Sequence, residues 1–331
     1  MDISILLFLQ NIREAMGGML NSFLVFVSSV AVDYYIVGAM LVLYWTVDKK
    51  RAAKVMLGWG ASLSVGAFLK ATFCVYRPWV RDARIQPPAE ILSGATGYSF
   101  PSGHSVSSGG FWNGIALAYR KHRPLVIFSV CMVLLTMFSR IFLGVHTPQD
   151  VLVGAAVSIA CAFLMSWVCD LVETHKNADI VVLAVTTVLM VALLLYISLK
   201  SYPMDYVDGQ LLVDPKKMTV DGFKDPGRFY GIVLGWFIER RFIHFRVEGT
   251  VLQKVMRGLV GCFLTVFWWN AVAGTVGSLA GNGIVHFVMQ ASTPLVMMTI
   301  YPLVFNAVEK KQDEKTAKKQ EAAGAEPAEV A

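Results

Sequence analysis

Three separated segments of the chain carry residue types that could bind a phosphate group and do chemistry on it. Residues 70–78 read KATFCVYRP, residues 99–105 read SFPSGHS, and residues 139–150 read SRIFLGVHTPQD. They supply lysine and arginine, which bring positive charge and hydrogen bonds to phosphate oxygens, and histidine, which can act as a nucleophile or a proton donor. Long apolar runs surround all three segments, and ionisable groups are costly in such surroundings.

The first segment predicts two cations on one side of a helix. Lys70 and Arg77 are seven residues apart, which is two helical turns, so both side chains would share a face. Pro78 follows directly and predicts that the helix ends there. Taken alone, both cations could instead extend to the membrane interface.

The second and third segments complete a predicted phosphate site. Ser102 and Gly103 indicate a helix start, whose free N–H groups bind anions, and Gly103 lets the backbone approach an oxyanion. Arg140 adds a guanidinium that can bond two phosphate oxygens at once. Because these groups supply the charge that a metal would otherwise provide, we predict no metal and no other cofactor. Taken alone, Ser102 could simply cap the helix.

The third segment also predicts a nucleophile. His146 and Asp150 are four residues apart, which places a carboxylate beside one ring nitrogen and leaves the other nitrogen free to attack. His104 remains as the proton donor to a leaving alkoxide. The His146–Asp150 pair could by itself only support a helix. Ionisable groups gathered from three segments at membrane depth indicate function instead.

The elements that must position these residues are membrane helices. The chain has 331 residues, of which 56% are hydrophobic and 16% charged, and its mean hydropathy is +0.57. A soluble protein carries about 25% charged residues. Repeated apolar stretches of roughly 20 residues predict an all-α, polytopic membrane helical bundle, because helices satisfy the backbone of such segments within lipid.

We predict nine or ten membrane spans. An amphipathic segment at 3–16 comes first, and the apolar region at 19–46 forms one long helix or two short ones. The remaining candidates have lengths close to the hydrocarbon core of a bilayer: 53–75, 102–119, 124–143, 147–170, 179–199, 226–241, 255–276 and 283–307.

These spans predict four parts of the chain. Residues 1–47 form N-terminal amphipathic and first membrane helices, and residues 48–175 form the catalytic core. Residues 176–308 add C-terminal membrane helices, and residues 309–331 form a charged cytoplasmic tail. The tail is alanine-rich and charged, which is typical of a disordered or frayed segment.

Loop charges predict the orientation. Basic residues gather in the tail and in loops at 48–54, 119–123, 174–176 and 239–246, and the positive-inside rule places that side in the cytoplasm. The long loop at 200–225 and the three chemical segments then face away from the cytoplasm. The same rule accounts for the net charge of +6 without nucleic acid as a partner. We expect an integral plasma-membrane protein, and the short outer loops without N-x-[ST] sites favour a bacterial one.

Together the three segments resemble the type 2 phosphatidic acid phosphatase superfamily, which also includes the vanadium haloperoxidases. Its signatures K-x(6)-R-P, P-S-G-H and S-R-x(5)-H-x(3)-D are all present in the same order and spacing, at 70–78, 101–104 and 139–150. The resemblance covers about residues 50 to 170. It implies an all-α fold with a six-helix phosphatase core, a phosphohistidine intermediate and no metal.

The resemblance also implies a role for each signature residue. His146 would be the nucleophile, Asp150 its partner and His104 the general acid. The implied phosphate ligands are Lys70, Arg77, Ser102, Gly103 and Arg140.

Four further candidate spans after residue 175 distinguish the chain from the small bacterial members of that superfamily. The layout is more similar to the glucose-6-phosphatase and sphingosine-1-phosphate phosphatase branches. In these extra spans, His286, Gln290 and the segment 268–270 (WWN) are expected to pack or anchor rather than to bind substrate.

The predicted function is hydrolysis of a lipid phosphate or diphosphate monoester, with a membrane lipid phosphate and the bilayer as partners. Two enzymatic alternatives would use the same site: a lipid phosphotransferase and a sugar-phosphate phosphatase. A lipid transporter is the non-enzymatic alternative. It is disfavoured because the charges lie at helix ends, whereas transporters bind near the midplane in broken helices.

Overall fold

The structure is a computed structural model that describes residues 2–30, 34–92, 94–207 and 209–324. Almost all of this part of the chain is helical, as the hydropathy predicted. Its helices are α1 (Asp2–Ala15), α2 (Asn21–Val30), α3 (Tyr34–Thr46), α4 (Lys49–Phe73), α5 (Pro78–Arg81), α6 (Ala89–Leu92), α7 (Gly103–Ala118), α8 (Arg123–Phe142), α9 (Pro148–Thr174), α10 (Ala178–Leu199), α11 (Pro215–Ile238), α12 (Val251–Phe267), α13 (Thr275–Ala280), α14 (Gly283–Met298) and α15 (Ile300–Gly324).

Four short elements complete the described chain. Two π-helical segments, Glu239–Ile243 and Trp268–Gly274, continue α11 and α12. The strands β1 (Tyr206–Val207) and β2 (Gln210–Leu211) pair antiparallel in the loop between α10 and α11.

Six helical stretches in the described chain are long and apolar enough to cross a membrane, and the bent pair α2–α3 would make a seventh. The six stretches lie at 49–81, 123–142, 148–174, 178–199, 251–280 and 283–316. This number is lower than the nine or ten spans predicted. Two predicted spans do not qualify: α7 has only 16 residues, and α11 carries several charged residues in its first half.

The helix α4 is the central element of the bundle. In its most apolar stretch, 78% of the residues are buried, compared with 17–33% in the other five candidate spans. Small residues let its neighbours approach closely: a side chain on Gly58 would meet the Ala162 backbone of α9, and one on Gly60 would meet Phe229 of α11. Close backbone approach at small residues is the usual way that membrane helices pack.

Four long helices, α4, α7, α8 and α9, make up the predicted core at 48–175, and α1 and α2 pack against α8. The remaining helices form an extension that joins this core mainly through α11, which contacts α4, α10 and α14. The tightest contact in the extension is between α11 and α14. Gly227 and Gly231 face the backbone of Phe287 and Ala291, where a Cβ atom would overlap the opposing carbonyl oxygens.

The start of α11 corrects the prediction that 200–225 is a loop. Asp214 caps the helix by accepting a hydrogen bond from the Lys216 N–H at 2.9 Å, and Pro215 occupies the first helical position. The helix therefore begins eleven residues before the predicted start at 226 and contains Pro226 in its interior. Because residues 216–225 carry several charges, a prediction based on the length of apolar stretches does not detect this amphipathic helix.

The end of α4 corrects a second prediction. The helix stops at Phe73, and Cys74 adopts the left-handed conformation with φ +48°. Arg77 therefore lies in the following loop rather than on one helical face with Lys70, and Pro78 begins the one-turn helix α5 instead of ending α4.

The C-terminal helix differs from the predicted tail. The helix α15 continues to Gly324, so residues 309–324 are helical where a disordered or frayed segment was predicted. The rest of the predicted tail, 325–331, lies outside the described residues.

Candidate active site

A cavity of about 250 Å³ lies at the end of α4 where the three chemical segments meet. Six of the eight predicted site residues line it, together with parts of α4, α7 and α11. The six are Lys70, Arg77, Gly103, His104, Arg140 and His146. Ser102 and Asp150 are not among the lining residues and are buried behind it, with 0% and 2% of their surface exposed.

Arg77 ties the loops of the cavity together. It is buried, and it donates hydrogen bonds to the carbonyl oxygens of Gly97 at 3.2 Å, Thr96 at 3.2 Å and Val145 at 3.1 Å. Its Nη1 also donates to His146 Nε2 at 2.9 Å. The guanidinium is thus fixed by both loops, because its planar donors match several fixed acceptors at once.

The same contact defines the tautomer of His146. An arginine can only donate, so Nε2 accepts and the ring hydrogen is on Nδ1. Nδ1 lies 3.3 Å from Ser99 Oγ and 3.4 Å from Asp150 Oδ2. Burial first, and then the Arg77 guanidinium, hold the pKa of His146 well below its ordinary value. The imidazole is therefore neutral, with a lone pair on Nε2.

Asp150 is fixed by the start of α9. Thr147 is the N-cap, and its N–H donates to Asp150 Oδ2 at 2.8 Å, which forms a capping box. Ser99 Oγ donates to the same oxygen at 2.5 Å. His146 precedes the helix, and its backbone N–H donates to the Arg140 carbonyl at 3.3 Å. A turn at Gly144, with φ +73°, allows this reversal.

Lys70 approaches the cavity from the last turn of α4. Its ammonium donates to the carbonyl oxygens of Tyr98 at 2.7 Å and Pro101 at 3.1 Å. An ammonium has three donors, so one is left for a ligand. These two bonds also hold the loop that leads into α7.

The N-terminus of α7 supplies a backbone surface. Ser102 caps the helix, and its Oγ accepts from the N–H of Ser105 at 3.4 Å and from the Ser105 hydroxyl at 3.1 Å. The N–H of Ser102 donates to the Asp150 carbonyl at 3.0 Å. The Oγ of Ser102, as an acceptor, and its backbone N–H, as a donor, are therefore both bonded within the protein. A Cβ atom on Gly103 would meet nothing within 4 Å, which leaves room for a ligand at the free N–H groups of the first turn.

Arg140 is the cation with unused bonding capacity. It is buried, with 4% of its surface exposed, and its Nε makes no hydrogen bond within the described part of the chain. A buried donor without a partner costs free energy. An anion in the cavity would satisfy it.

Two groups of site residues were missed by the sequence reasoning. Ser99 contacts both His146 and Asp150, but a serine three residues before Ser102 carries no distinctive signal. The helix α11 adds Met218, Asp221, Gly222 and Asp225 to the cavity wall. The Asp-Pro pair at 214–215, a helix-start signal, could have revealed that these residues are helical.

The polar residues of the extra spans contact neighbouring helices in the structure. Gln290 is buried and accepts a hydrogen bond from Arg228 Nε at 2.9 Å. Trp268 donates to Ser292 Oγ at 2.9 Å, and Asn270 accepts from the Tyr34 hydroxyl at 2.9 Å. His286 packs against Gly277 of α13.

A larger cavity, of about 930 Å³, lies at the opposite end of α4. Lys49 and Lys70 are 21 residues apart, so the two cavities are about 30 Å from each other. Ion pairs line the larger one, including Lys49–Glu239 at 2.7 Å and Lys54–Asp170 at 2.6 Å. It lacks the buried His–Asp pair, so we assign the chemistry to the smaller cavity. Within the described residues, no three His, Cys, Asp or Glu side chains are grouped as in a metal site.

Two family matches cover most of the helical chain. Residues 51–172 match the PAP2 superfamily. Residues 223–313 match the family described as PAP2 superfamily phosphatase, transmembrane extension. The first match includes every predicted site residue, and the second includes the larger part of α11.

Several bacterial proteins are similar to this chain. Undecaprenyl-diphosphatase BcrC of Bacillus subtilis is 31% identical over 164 residues, which are 47% of this chain and 79% of that protein. Phosphatidylglycerophosphatase B of the same organism is 31% identical over 28% of this chain and 48% of its own length. Lipid A 1-phosphatase of Rhizobium etli is 43% identical over 18% of this chain and 24% of its own length. No solved structure matches the chain.

Fold and site together define a membrane-embedded, all-helical enzyme that acts on phosphate esters. The chain belongs to the PAP2 superfamily, and it carries that superfamily's transmembrane extension. It is therefore an integral membrane phosphoric ester hydrolase, and the resemblance found in the sequence is confirmed.

Proposed function

We propose that the protein hydrolyses a lipid phosphate monoester through a phosphohistidine intermediate and without a metal. One observation carries the proposal: a buried, neutral His146 lies at the wall of a cavity lined by three cations. Its Nδ1 lies against Ser99 and Asp150. Its Nε2 lies against Arg77, which also lines the cavity. This is the arrangement that a nucleophilic imidazole needs.

In the first step, the phosphate group binds to Lys70, Arg77, Arg140 and the first-turn N–H groups of α7. A phosphoryl oxygen takes the Arg77 donor that now bonds Nε2, which frees the lone pair. Nε2 then attacks phosphorus as the bond from phosphorus to the alcohol oxygen breaks. His104, which lines the same cavity and takes up a proton when the phosphate anion binds, donates that proton to the departing oxygen.

In the second step, water attacks the phosphohistidine and the P–N bond breaks. The imidazole of His104, deprotonated in the first step, accepts a proton from that water. Inorganic phosphate leaves, and His146 returns to its neutral form. Asp150 and Ser99 hold the Nδ1–H throughout, so the positive charge that develops on the ring is stabilised by a carboxylate.

A lipid substrate is supported by the wall of the cavity and by the relatives. Leu63, Gly66 and Ala67 of α4 line its inner side with apolar or small surfaces. The relatives are named for undecaprenyl diphosphate, phosphatidylglycerophosphate and lipid A, each a phosphorylated lipid. We propose that the site faces away from the cytoplasm and that the C-terminus is cytoplasmic, as the loop charges predict.

Phosphate release by the detergent-purified protein tests this proposal. With EDTA present, wild-type protein should release phosphate from a lipid phosphate, and His146→Ala should reduce release to background. His175→Ala, at an exposed position near the opposite end of the bundle, is the matched control and should keep full activity. Full turnover by His146→Ala would exclude the mechanism, and loss of activity on EDTA treatment would exclude metal independence.

The leaving group tests His104 separately. General acids contribute about 10²–10⁴ in rate. His104→Ala should lose that factor on an alkyl phosphate and much less on p-nitrophenyl phosphate, whose leaving group needs no proton. Equal losses on both substrates would contradict a role as the acid. Transfer of phosphate to an added lipid alcohol, without free phosphate, would identify a phosphotransferase.

A further inference from the structure

The catalytic cavity adjoins a second cavity of about 300 Å³. Four residues line both cavities: Arg77, Thr96, Met218 and Asp221. The second cavity lies between the loop that follows α4 and the start of α11. The four shared residues form the boundary between the two cavities.

The walls of the two cavities differ in polarity. The catalytic cavity has apolar residues on its α4 side. The second cavity combines apolar side chains such as Val80 and Leu92 with the polar groups of Tyr76, Asp214 and Lys217. A few polar groups among apolar walls suit the polar part of a substrate, because they fix its orientation.

Asp221 is the acceptor at the junction of the cavities. Its Oδ1 accepts from Lys224 Nζ at 2.6 Å, and its Oδ2 makes no hydrogen bond to the described residues. The side chain is 36% exposed. A carboxylate can accept about four hydrogen bonds, so capacity remains toward the cavity. It cannot donate, and it repels a second phosphate group placed beside it.

We propose that the second cavity is a head-group subsite and that Asp221 selects phosphomonoesters whose alcohol carries a hydroxyl or ammonium donor near the phosphate. This inference rests on the proposed function and narrows its substrate class. Glycerol-type lipid phosphates with a free hydroxyl, and amino-alcohol- and sugar-type lipid phosphates, have such donors. A plain alkyl or prenyl chain has none, and a diphosphate brings a further negative charge to Asp221.

Three substrates with matched 16–18-carbon chains test the subsite: a monoacylglycerol phosphate with a free hydroxyl, a long-chain amino-alcohol phosphate, and a plain alkyl phosphate. The wild-type kcat/KM should be about tenfold higher for the first two, the effect expected of one hydrogen bond to a charged group. Asp221→Asn should remove most of this preference through KM. The larger loss on the amino-alcohol phosphate would identify the ammonium as the group bound.

The matched control is Asp82→Asn, the same change in a half-buried loop residue that lines neither cavity. It should leave all three values unchanged. An equal loss on all three substrates, or a wild-type preference for the alkyl phosphate, would overturn the inference but not the proposed function. Absence of hydrolysis of every substrate by wild-type protein would overturn both.

Discussion

The reactive groups of the site are held by hydrogen bonds between side chains and loop carbonyls. Asp150 Oδ2 lies within hydrogen-bonding distance of three donors: the Thr147 N–H, the Ser99 hydroxyl and His146 Nδ1. The shortest distance is to Ser99, and the longest is to His146. Ser99 is thus placed to fix both the carboxylate and the ring, so its hydroxyl should affect the reaction without touching phosphate.

Replacing Ser99 by alanine should lower kcat about tenfold with little change in KM. The reason is that a buried carboxylate loses one hydrogen bond, which costs about 1–3 kcal/mol, and the imidazole loses part of its orientation. Steady-state kinetics on the best lipid phosphate would measure this. Ser99→Thr, which keeps the hydroxyl, should recover part of the rate.

Ser129→Ala is the matched control for Ser99→Ala. Ser129 is also a buried serine, and its Oγ donates to the Leu125 carbonyl at 2.8 Å within α8, outside the cavity lining. Its substitution should leave kcat unchanged. A Ser99→Ala enzyme with normal kcat would show that the Thr147 N–H and the ring alone hold Asp150.

At this scale the sequence predicted residues that the structure brings to one cavity, but not all of their hydrogen-bond partners. Lys70, Arg77, His104, Arg140 and His146 could be chosen because their charge is unusual among apolar runs. Ser99 could not, because its importance depends on a fold that brings residue 99 beside residues 146 and 150. The hydroxyl of Ser102 caps α7, the alternative role that its sequence position allowed, and it accepts hydrogen bonds from Ser105.

Among the helices, α11 links the extension to the active site. Gly227, Gly231 and Gly235 recur every four residues on this helix and face α14. Such spacing allows two helices to approach at their backbones. Because Met218, Asp221 and Asp225 on the same helix line the cavity, the position of α11 against α14 also sets one wall of the site.

Gly231→Ala should therefore destabilise the protein. The added Cβ would overlap the Ala291 carbonyl oxygen and lie 2.7 Å from the Ala291 Cα, so α11 and α14 must separate. Overpacking of this kind costs about 1–3 kcal/mol. The expected result is a melting temperature several degrees lower in detergent, measured by differential scanning fluorimetry.

Gly258→Ala provides the control for that substitution. Gly258 lies inside α12, and a Cβ there would meet Val42 at 3.9 Å, an ordinary contact. Its melting temperature should be unchanged or slightly higher, because alanine favours a helix by about 1 kcal/mol over glycine. Equal stability of Gly231→Ala and Gly258→Ala would show that the α11–α14 contact is not close-packed.

The elements were predictable where apolar length or a cap marked them. The predicted spans 124–143 and 179–199 differ from α8 and α10 by one residue at each end or less. The start of α11 was not found, because its first half is amphipathic and packs inside the protein rather than facing lipid. The end of α4 was not found either, since the left-handed turn at Cys74 has no signal in a non-glycine residue.

The two ends of the whole molecule carry different arrangements of charged groups. One end holds the catalytic cavity with its cations, of which Arg140 keeps a donor without a partner. The other end holds ion pairs that join α4 to α9 through Lys54–Asp170 and to the end of α11 through Lys49–Glu239. The Lys54–Asp170 pair lies within the core, whereas Lys49–Glu239, whose carboxylate is buried, joins the core to the extension.

This separation leads to a prediction about orientation in the membrane. The loop charges place the ion-paired end in the cytoplasm and the catalytic cavity on the outer side. Glu90, exposed in α6, reports on the cavity end, and Lys121, exposed between α7 and α8, reports on the other end. A membrane-impermeant maleimide should label Glu90→Cys in intact cells, and should label Lys121→Cys only after the cells are made permeable.

The wild-type chain is the control for this labelling. Of its five free cysteines only Cys131 is exposed, on the α8 surface that meets lipid, so it should react little with a polar reagent. The reverse pattern would place the cavity in the cytoplasm and make its substrates inner-leaflet lipids. Labelling of both variants in intact cells would mean that residues 90 and 121 lie on the same side of the membrane. In that case α7, which has only 16 residues, would not cross the membrane. The orientation of the whole protein depends on whether this helix crosses.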